Sequence, residues 1–404
     1  MNFKRNILVA VGLGLVLLSA LPLNASDPVV LDPEVLVAFG IKDDVPELST
    51  QEGILVALTF PREFDVYDIC YPYTSSRVTH FGSVAAVEAR NYEHVRLQNE
   101  AFYSNGILGR VRLAWQGLHP YVETGDMMDA LTSVIQGAFS NVGPFAGMRE
   151  KYGCDAIMLG VSFGGGLATL GVPLSVVGTV SITSAAHESG HMHGADHDID
   201  HATVSCDPAD VMCHLARGRC WMGPDGQWYG DLMCVGIEVG RRQNFYSDPF
   251  KLHNGVPTGV LDESQGALVV ANNMKWMANQ RSPKRSSKCI AQAGSICLRN
   301  RFELLAYWWR PTNHGWTTSV TVSADKTSAA FKYGTLPVLT VRIDYVGSTA
   351  VVKTTGTIPG PVQMSLLVLD HKSGLYKSYG KLPKKPWQNI ADSATFEKSP
   401  KLPK

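Results

Sequence analysis

The chain has 404 residues, enough for two or three domains that each bury a core of their own. Lysine plus arginine and aspartate plus glutamate both number 36, so the formal net charge is zero. A balanced charge gives no long-range field that would favour nucleic acid or an anionic membrane, and we expect any partner to be recognised by local chemistry.

The first 25 residues have the layout of a secretory signal peptide. Lys4 and Arg5 precede an apolar run over residues 7–18, and small or turn-forming residues follow up to Ala25. That run is short for a membrane span, which takes about 20 apolar residues. We predict cleavage near Ala20 or Ala25, export to the periplasm or the exterior, and no membrane attachment afterwards. The alternative is a retained N-terminal anchor.

Eight cysteines follow the predicted cleavage site, and an even number in an exported protein indicates disulfides. None has the CxxC spacing of a thiolate zinc site. Cys289 and Cys297 are close enough in sequence to close a short loop at the start of the last domain. The remaining cysteines, whose pairing does not follow from sequence, are Cys70, Cys154, Cys206, Cys213, Cys220 and Cys234.

Strands and helices alternate from residue 64 onwards, after a short extension over residues 26–60. The segments FDVYDICYPYT, GRVRLAWQGL and CDAIMLGVS are rich in β-branched and aromatic residues and predict strands. Apolar residues spaced by three and four predict helices over VAAVEARNYEHVRLQNEAFYSN, residues 127–138 and SQGALVVANNMKWMANQ. This alternation predicts an α/β layer with a mostly parallel sheet.

A glycine-rich tract, SFGGGLATLG, lies between the third predicted strand and the apolar segment VVGTVSIT. The tract matches neither GxGxxG nor GxxxxGK[ST], so we do not expect it to bind phosphate. A backbone that another segment approaches closely explains the glycines of this tract better. VVGTVSIT predicts a further strand that leads directly into a run of histidines.

The sequence pattern changes after the charged linker RSPKRSSK. From about Cys289 it carries short alternating runs separated by Gly, Pro, Asn and Asp, which predict a small all-β sandwich. The runs are RFELLAYWW, TTSVTVSA, LTVRIDYV, TAVVKTT and QMSLLVLD.

The histidine run has the pattern HExxHxxGxxH. His187 and His191 are four residues apart, so on a helix their imidazoles face one ion, with Glu188 to the side. Gly194 permits the left-handed conformation that ends a helix, and the chain can then return His197 as a third ligand.

Three neutral imidazoles leave a zinc ion with an open position for water, as in catalytic zinc sites. We predict one catalytic Zn²⁺, bound by His187, His191 and His197, and Glu188 as the general base that takes the proton of the attacking water. The competing interpretation is a cluster of surface histidines.

These residues resemble the metzincin clan of zinc proteases, and more closely its reprolysin-like bacterial members, because His197 is followed by Asp198. The resemblance covers residues 64–280. It implies a twisted, mostly parallel sheet with an antiparallel edge strand, a long active-site helix and a methionine turn beneath the zinc. It also makes Asp198 a structural neighbour of the ligands.

Two methionines are candidates for that turn. Met212 follows His197 at a common spacing, whereas Met233 precedes RRQNFYSDP, which resembles a tract found after the turn in bacterial relatives. We favour Met233, with residues 200–230 as an inserted loop.

The resemblance further implies that Gly166, Leu167 and Ala168 form the edge strand, to which substrate binds as an added strand. The alternative is an ordinary glycine loop. In a metzincin sheet Cys70 and Cys154 would lie on neighbouring strands, where a disulfide is conceivable.

Other polar residues near the motif are less well supported as metal ligands. His193 lies on a different helical face from the ligands, and we expect it to be solvated or to lie behind them. A loose polar set after the motif matches no calcium loop, so Ca²⁺ is possible but not indicated. Its members are Asp200, His201, Asp207, Asp210 and His214.

The last segment, from Cys297 to Phe396, is similar to a β-module of exported bacterial proteins. Tyr307, Trp308 and Trp309 could present an aromatic surface to a carbohydrate or protein ligand, but core packing accounts for such rings more often.

We therefore predict a signal peptide (1–25), an extension (26–60), a metzincin-like zinc protease domain (61–283) and a linker with a β-sandwich (284–404). The expected function is a secreted zinc endopeptidase acting on protein or peptide, with no nucleic-acid partner. Two alternatives remain: an extracellular binding or adhesion protein with a vestigial protease fold, and a zinc amidase acting on a non-protein substrate.

Overall fold

The computed structural model describes residues 5–11, 14–20, 64–203, 211–237, 241–261, 263–284, 286–292, 294–310, 313–316, 319–333, 336–346, 349–356, 363–379 and 392–393. The predicted extension over residues 26–60 lies outside them. Two strands near the N-terminus, β1 (Arg5–Val11) and β2 (Gly14–Ala20), pair antiparallel. Among the described residues, no helix has both the length and the apolar character that a membrane crossing requires.

A mixed five-stranded sheet, here called the central sheet, organises residues 65–177. Its strands are β3 (Asp65–Tyr73), β4 (Gly109–Leu118), β5 (Ala156–Gly160), β6 (Gly166–Ala168) and β7 (Leu174–Val177). The order is β4-β3-β5-β7-β6, with all neighbours parallel except β6, which pairs antiparallel with β7 at the end of the sheet. The expectation of a mostly parallel sheet with an antiparallel edge strand is therefore confirmed.

Helices cover both faces of the central sheet, so β3 is buried at every position, as expected for a central parallel strand. One face packs against α2, α5 and α7, and the other against α3. The helices are α1 (Ser75–Phe81), α2 (Val84–Ser104), α3 (Met127–Ile135, followed by a π-helical turn Gln136–Ser140), α4 (Met148–Tyr152), α5 (Ser184–Met192), α6 (Val211–Leu215) and α7 (Gly266–Ala278).

Two predictions about this region need correction. The segment VVGTVSIT is a strand only up to Val177, because Gly178, Thr179 and Val180 donate their amides to the carbonyls of Gly164 and Gly165 instead of extending the ladder. The active-site helix α5, which was expected to be long, has nine residues.

Short hairpins occupy the segment between α5 and α7. The strands β8 (Cys220–Met222) and β9 (Trp228–Gly230) form one pair, and β10 (Leu252–His253) and β11 (Val256–Pro257) form another.

Disulfides join Cys70 to Cys154, Cys220 to Cys234 and Cys289 to Cys297, so both pairings considered from the sequence are confirmed. Cys213 is also disulfide-bonded, and Cys206 lies outside the described residues.

The C-terminal strands form two sheets that face one apolar core, which is the predicted sandwich. We call this unit the C-terminal sandwich. Its strands are β12 (Ile296–Leu298), β13 (Phe302–Arg310), β14 (Asn313–Trp316), β15 (Ser319–Val322), β16 (Ser328–Tyr333), β17 (Leu336–Val346), β18 (Thr349–Thr355), β19 (Gln363–Asp370), β20 (Tyr376–Tyr379) and β21 (Asp392–Ser393).

The outer face of the sheet containing β13 and β19 packs against the start of the central sheet. Leu305, Tyr307 and Leu367 share one buried cluster with Phe64 and Leu108. Alternation along β13 thus directs Tyr307 into this contact, whereas Trp308 is half-buried against the sandwich core. The side chain of Trp309 lies outside the described part of the chain.

Candidate metal centre

Helix α5 carries the first two histidines and ends at Met192, just before Gly194, as the sequence predicts. Gly194 has a φ of +92°, a left-handed conformation that glycine adopts without strain, and its amide donates to the carbonyl of His191 at 2.8 Å. The chain therefore turns back after one further residue. This reversal brings His197 next to His187 and His191.

The three histidines point their Nε2 atoms at one position. Each of the three Nε2–Nε2 distances among His187, His191 and His197 is 3.1 Å. Nitrogens bound to a tetrahedral zinc ion at about 2.0–2.1 Å lie about 3.3 Å from one another. The observed triangle therefore has the size that zinc, or a similar divalent ion, needs.

Backbone carbonyls accept from the other ring nitrogen of each histidine. Nδ1 of His187 lies 2.5 Å from the carbonyl oxygen of Leu232. Nδ1 of His191 lies 2.8 Å from the carbonyl oxygen of Ala195, and Nδ1 of His197 lies 3.3 Å from that of His201. A proton on Nδ1 leaves Nε2 as the bare lone pair that a metal needs. Burial lowers the pKa of His187 and His191 well below the ordinary value, which keeps both rings neutral.

Glu188 lies beside the histidines and against the edge strand. Its side chain is buried, and burial raises its pKa well above the ordinary range, although the Arg242 guanidinium acts in the opposite direction. Oε2 has no hydrogen-bond partner among the described residues, while Oε1 fills the space that a Cβ on Gly166 would occupy. A carboxylate with an unused oxygen is therefore held between the histidines and β6.

Met233 packs directly beneath α5. A Cβ built on Gly190 would lie 2.6 Å from the sulfur of Met233, so only a glycine at 190 lets the helix approach so closely. Met233 is fully buried. The side chain of Met212, the alternative candidate, lies outside the described part of the chain.

The residues around Met233 form a turn, Asp231 to Val235, that we call the floor turn. Asp231 Oδ1 accepts from the amides of Met233 at 2.9 Å and Cys234 at 2.8 Å, which closes the turn. Its Leu232 carbonyl is the acceptor for His187. At its end, the Val235 amide donates to Asp198 Oδ2 at 2.7 Å. The floor turn therefore connects the environments of the first and third histidines.

The side chain of Asp198 contacts His201 and the floor turn. Its Oδ1 lies 2.8 Å from Nδ1 of His201, the residue whose carbonyl accepts from His197. Asp198 thus positions His197 through His201. His193, expected to be solvated or to lie behind the ligands, is fully buried, with its Nδ1 2.7 Å from the Ser189 carbonyl, so the solvated placement is wrong.

Sequence reasoning missed two residues of the site. Asp231 is the first residue of the floor turn, and Arg242 lies in the RRQNFYSDP tract. Arg242 is largely buried, and its charge interacts with Asp231, Glu188 and Asp198. Its Nε has no hydrogen-bond partner in the described part of the chain. The position of Arg242 in a tract that follows the methionine turn is the signal that could have indicated it.

An open cavity of about 370 Å³ lies beyond the third histidine. It is bounded by the end of the floor turn and by the disulfide of Cys220, and Asp198, His201, Trp228 and Arg241 also line it. It therefore presents both acidic and basic groups next to the metal centre.

Asp198 also groups with Cys220 and Cys234, but these two sulfurs form a disulfide and offer no thiolate. Asp207 and Asp210, from the loose polar set, lie outside the described residues.

Comparison with known proteins agrees with this geometry. Residues 125–233, which include the motif and Met233, match the reprolysin-type model of metallopeptidase family M12. Over this segment the chain is thus similar to reprolysin-type metallopeptidases.

The curated peptidyl-Asp metalloendopeptidase of Stenotrophomonas maltophilia (strain R551-3) is 29% identical over 96 residues, which are 24% of this chain and 22% of that protein. The match thus spans about a fifth of the relative. A solved structure titled "Structure of a chaperone-substrate complex" aligns with 54% of this chain and 39% of its own at 16% identity, with a TM-score of 0.43, a likeness too distant to support an argument.

Proposed function

We propose that this protein is an exported, zinc-dependent endopeptidase. The observation that carries the proposal is the triangle of Nε2 atoms in His187, His191 and His197, with the unused carboxylate oxygen of Glu188 beside it. The reprolysin-type match includes all four residues. Disulfides support export, because they persist in oxidising compartments.

A zinc ion held by the three histidines would polarise the scissile carbonyl and acidify a water molecule. Glu188 accepts the proton of the attacking water at Oε2 and later returns it to the leaving amine. Burial favours this cycle, since it raises the pKa of the carboxyl and so strengthens the base. Asp198 and the floor turn hold the imidazoles in place.

Substrate binds as an extra strand along β6. Gly166, Leu167 and Ala168 end the central sheet, and β7 pairs with only one side of β6. An extended peptide on the other side would pass directly by Glu188, because its carboxylate contacts Gly166. Hydrolysis in the middle of a chain follows from this geometry, since the added strand can continue in both directions.

The name of the relative leads to a proposal about specificity. That protein is a peptidyl-Asp metalloendopeptidase, and here a guanidinium, Arg242, lies close enough to Glu188 to affect its pKa. We propose that Arg242 favours an aspartate beside the cleaved bond. Its free Nε offers the side chain a charge-assisted hydrogen bond.

The class of activity is tested with casein and three variants of the purified protein. Glu188→Gln should keep one zinc per chain and lose at least about 10²-fold in kcat, because a general base is missing. His191→Ala should lose zinc and activity together, and Glu100→Gln, a glutamate on the exposed side of α2, should resemble the parent. Zinc binding without chelator-sensitive cleavage would favour the binding protein, and cleavage of non-peptide amides alone would favour the amidase.

The specificity is tested with peptides that differ only in the residue beside the cleaved bond, which is Asp, Asn or Leu. The parent should cleave the Asp peptide with a kcat/KM at least about 10-fold above that of the Asn peptide, since each charge-assisted contact has an energy of about 1.5–3 kcal/mol. Arg242→Gln should remove that preference and keep activity on the Leu peptide. An unchanged Asp/Asn ratio in this variant would exclude Arg242 as the source.

A further inference from the structure

Arg77 is a fully buried arginine far along the chain from the metal ligands. It lies on α1, and its Nη1 donates to the carbonyls of Val161 at 2.7 Å, Val177 at 2.8 Å and Gly178 at 3.2 Å. Those carbonyls lie at the ends of β5 and β7. The guanidinium thereby holds together the carboxyl ends of two parallel strands.

The opposite edge of the same guanidinium is unused. Neither Nε nor Nη2 of Arg77 has a hydrogen-bond partner in the described part of the chain. These two N–H groups are parallel, and this is the edge with which arginine binds both oxygens of a carboxylate or phosphate. An unoccupied fork in a buried position indicates a missing oxyanion.

Two more basic side chains, both on α2, have unused nitrogens and lie close enough to Arg77 to interact with it electrostatically. They are Arg90, through Nε, and His94, through Nε2. The guanidinium carbons of Arg77 and Arg90 lie 5.3 and 5.9 Å from the centre of the Phe81 ring. The other nitrogen of His94, Nδ1, is 2.6 Å from the hydroxyl of Tyr71, so a proton donated by Tyr71 leaves Nε2–H free to donate.

The charge of this group has no direct counter-ion in the described structure. No carboxylate of the described residues lies within ion-pair distance of Arg77 or Arg90. Glu123, whose charge acts on Arg77, is bound by Thr74 and Ser162, and Glu93, whose charge acts on Arg90, is bound by Arg96. A buried cation without a counter-ion is unfavourable, so an anion would stabilise this arrangement.

We propose that Arg77, Arg90 and His94 form a binding site for a small oxyanion, a carboxylate or inorganic phosphate, between helices α1 and α2 and the central sheet. Arg77 binds two oxygens with its fork, and Arg90 and His94 each donate one further hydrogen bond. Arg90 is only half-buried, whereas Arg77 and His94 are fully buried. The site is separate from the metal centre and does not depend on the proposed protease activity.

Thermal unfolding of the metal-loaded protein tests this site. Sodium phosphate and sodium acetate are titrated against sodium chloride at equal ionic strength in a zwitterionic buffer. At about 100 times its Kd, the bound oxyanion should raise the Tm by about 3–5 °C above the chloride reference. A larger effect of phosphate identifies phosphate as the ligand, and a larger effect of acetate identifies a carboxylate.

Variants on α2 separate this site from other anion sites. Arg90→Gln should abolish the oxyanion-dependent shift, whereas Arg96→Gln, which changes the charge of the same helix outside the site, should keep it. A shift that persists in Arg90→Gln comes from elsewhere, the metal centre included, and would overturn the proposal. Equal Tm values in chloride and oxyanions for the parent would also overturn it.

Discussion

At position 166 the chain has room for a hydrogen atom and nothing larger, because the carboxylate of Glu188 occupies the place of a Cβ. The neighbouring Gly165 has open space around its own Cβ position and no left-handed backbone. Of these two adjacent glycines, only Gly166 contacts the proposed base.

We predict that Gly166→Ala inactivates the enzyme without removing the metal. The added methyl group displaces the carboxylate of Glu188, and a displacement of about 1 Å can lower kcat by about 10²-fold. Gly165→Ala should retain nearly full activity. Metal analysis together with kcat for both variants checks this, and equal activities would show that the contact has no functional importance.

The sequence was informative about single residues where chemistry and spacing coincide. His187, Glu188, His191, Gly194 and His197 could be assigned together because a helix and one left-handed glycine suffice to bring them close. The acceptors of the Nδ1 protons could not be predicted, since the carbonyls of Leu232 and His201 have no signature in a sequence. Arg242 and Asp231 were missed for a related reason, because burial gives their charges importance and burial depends on the complete fold.

On the scale of elements, the floor turn has the greatest influence on the metal centre. Its Asp231 carboxylate accepts two backbone amides, and its Leu232 carbonyl orients His187. The disulfide of Cys220 with Cys234 fixes the turn to the hairpin of β8 and β9. The floor turn thus determines the orientation of the His187 ring.

We predict that Asp231→Ala weakens zinc binding by about 10–100-fold, the usual effect of losing a group that orients a ligand. Asp231→Asn keeps an oxygen that can accept from both amides, so its effect should be smaller. Competition with a chromophoric chelator measures both affinities in the absence of substrate. If both variants bind zinc as tightly as the parent, the floor turn does not control His187.

Element prediction succeeded for strands β3, β4 and β5, and it failed for the second half of VVGTVSIT and for the length of α5. The segment GRVRLAWQGL is strand β4 from its first residue to its last, as its alternating apolar pattern predicts, although its first six residues are all buried. Helix α5 is short because its end depends on Gly194, and its start follows a loop held by the carbonyls of Gly164 and Gly165. Such contacts between distant segments leave no periodic pattern.

On the scale of the whole molecule, the central sheet and the C-terminal sandwich share buried polar contacts as well as apolar ones. Arg110 of β4 forms an ion pair with Glu303 of β13, and His371 Nε2 lies 2.8 Å from the other oxygen of Glu303. All three side chains are buried. Tyr307, considered earlier as part of a binding surface, is also buried in this contact, so any ligand of the sandwich must use another face.

We predict that this contact makes stability depend on pH in the acidic range. Burial alone would raise the pKa of Glu303, but the Arg110 guanidinium and the hydrogen bond to His371 lower it to about 2 from an ordinary value of 4.5. The folded form therefore releases this proton more readily than the unfolded form. The stabilising contribution is complete above about pH 4.5 and is lost as the pH falls towards 2.

The free energy of unfolding, measured by denaturant titration between pH 2 and 6, checks this prediction. Glu303→Gln should be about 3–5 kcal/mol less stable near neutral pH, because Arg110 is left buried without its partner. The difference between the parent and this variant should shrink as the pH approaches 2. Parallel curves over the whole range would contradict the assignment.

The contact between the two units also constrains the order in which the protein is completed during synthesis. The amide of Phe64 donates to the hydroxyl of Ser378, 314 residues further along the chain, and Phe64 itself packs beneath residues of β13 and β19. A ribosome makes the histidine motif well before the strands that cover this apolar patch. The growing chain therefore contains every proposed metal ligand while the residues of this patch, Phe64 among them, still lack the strands that bury them.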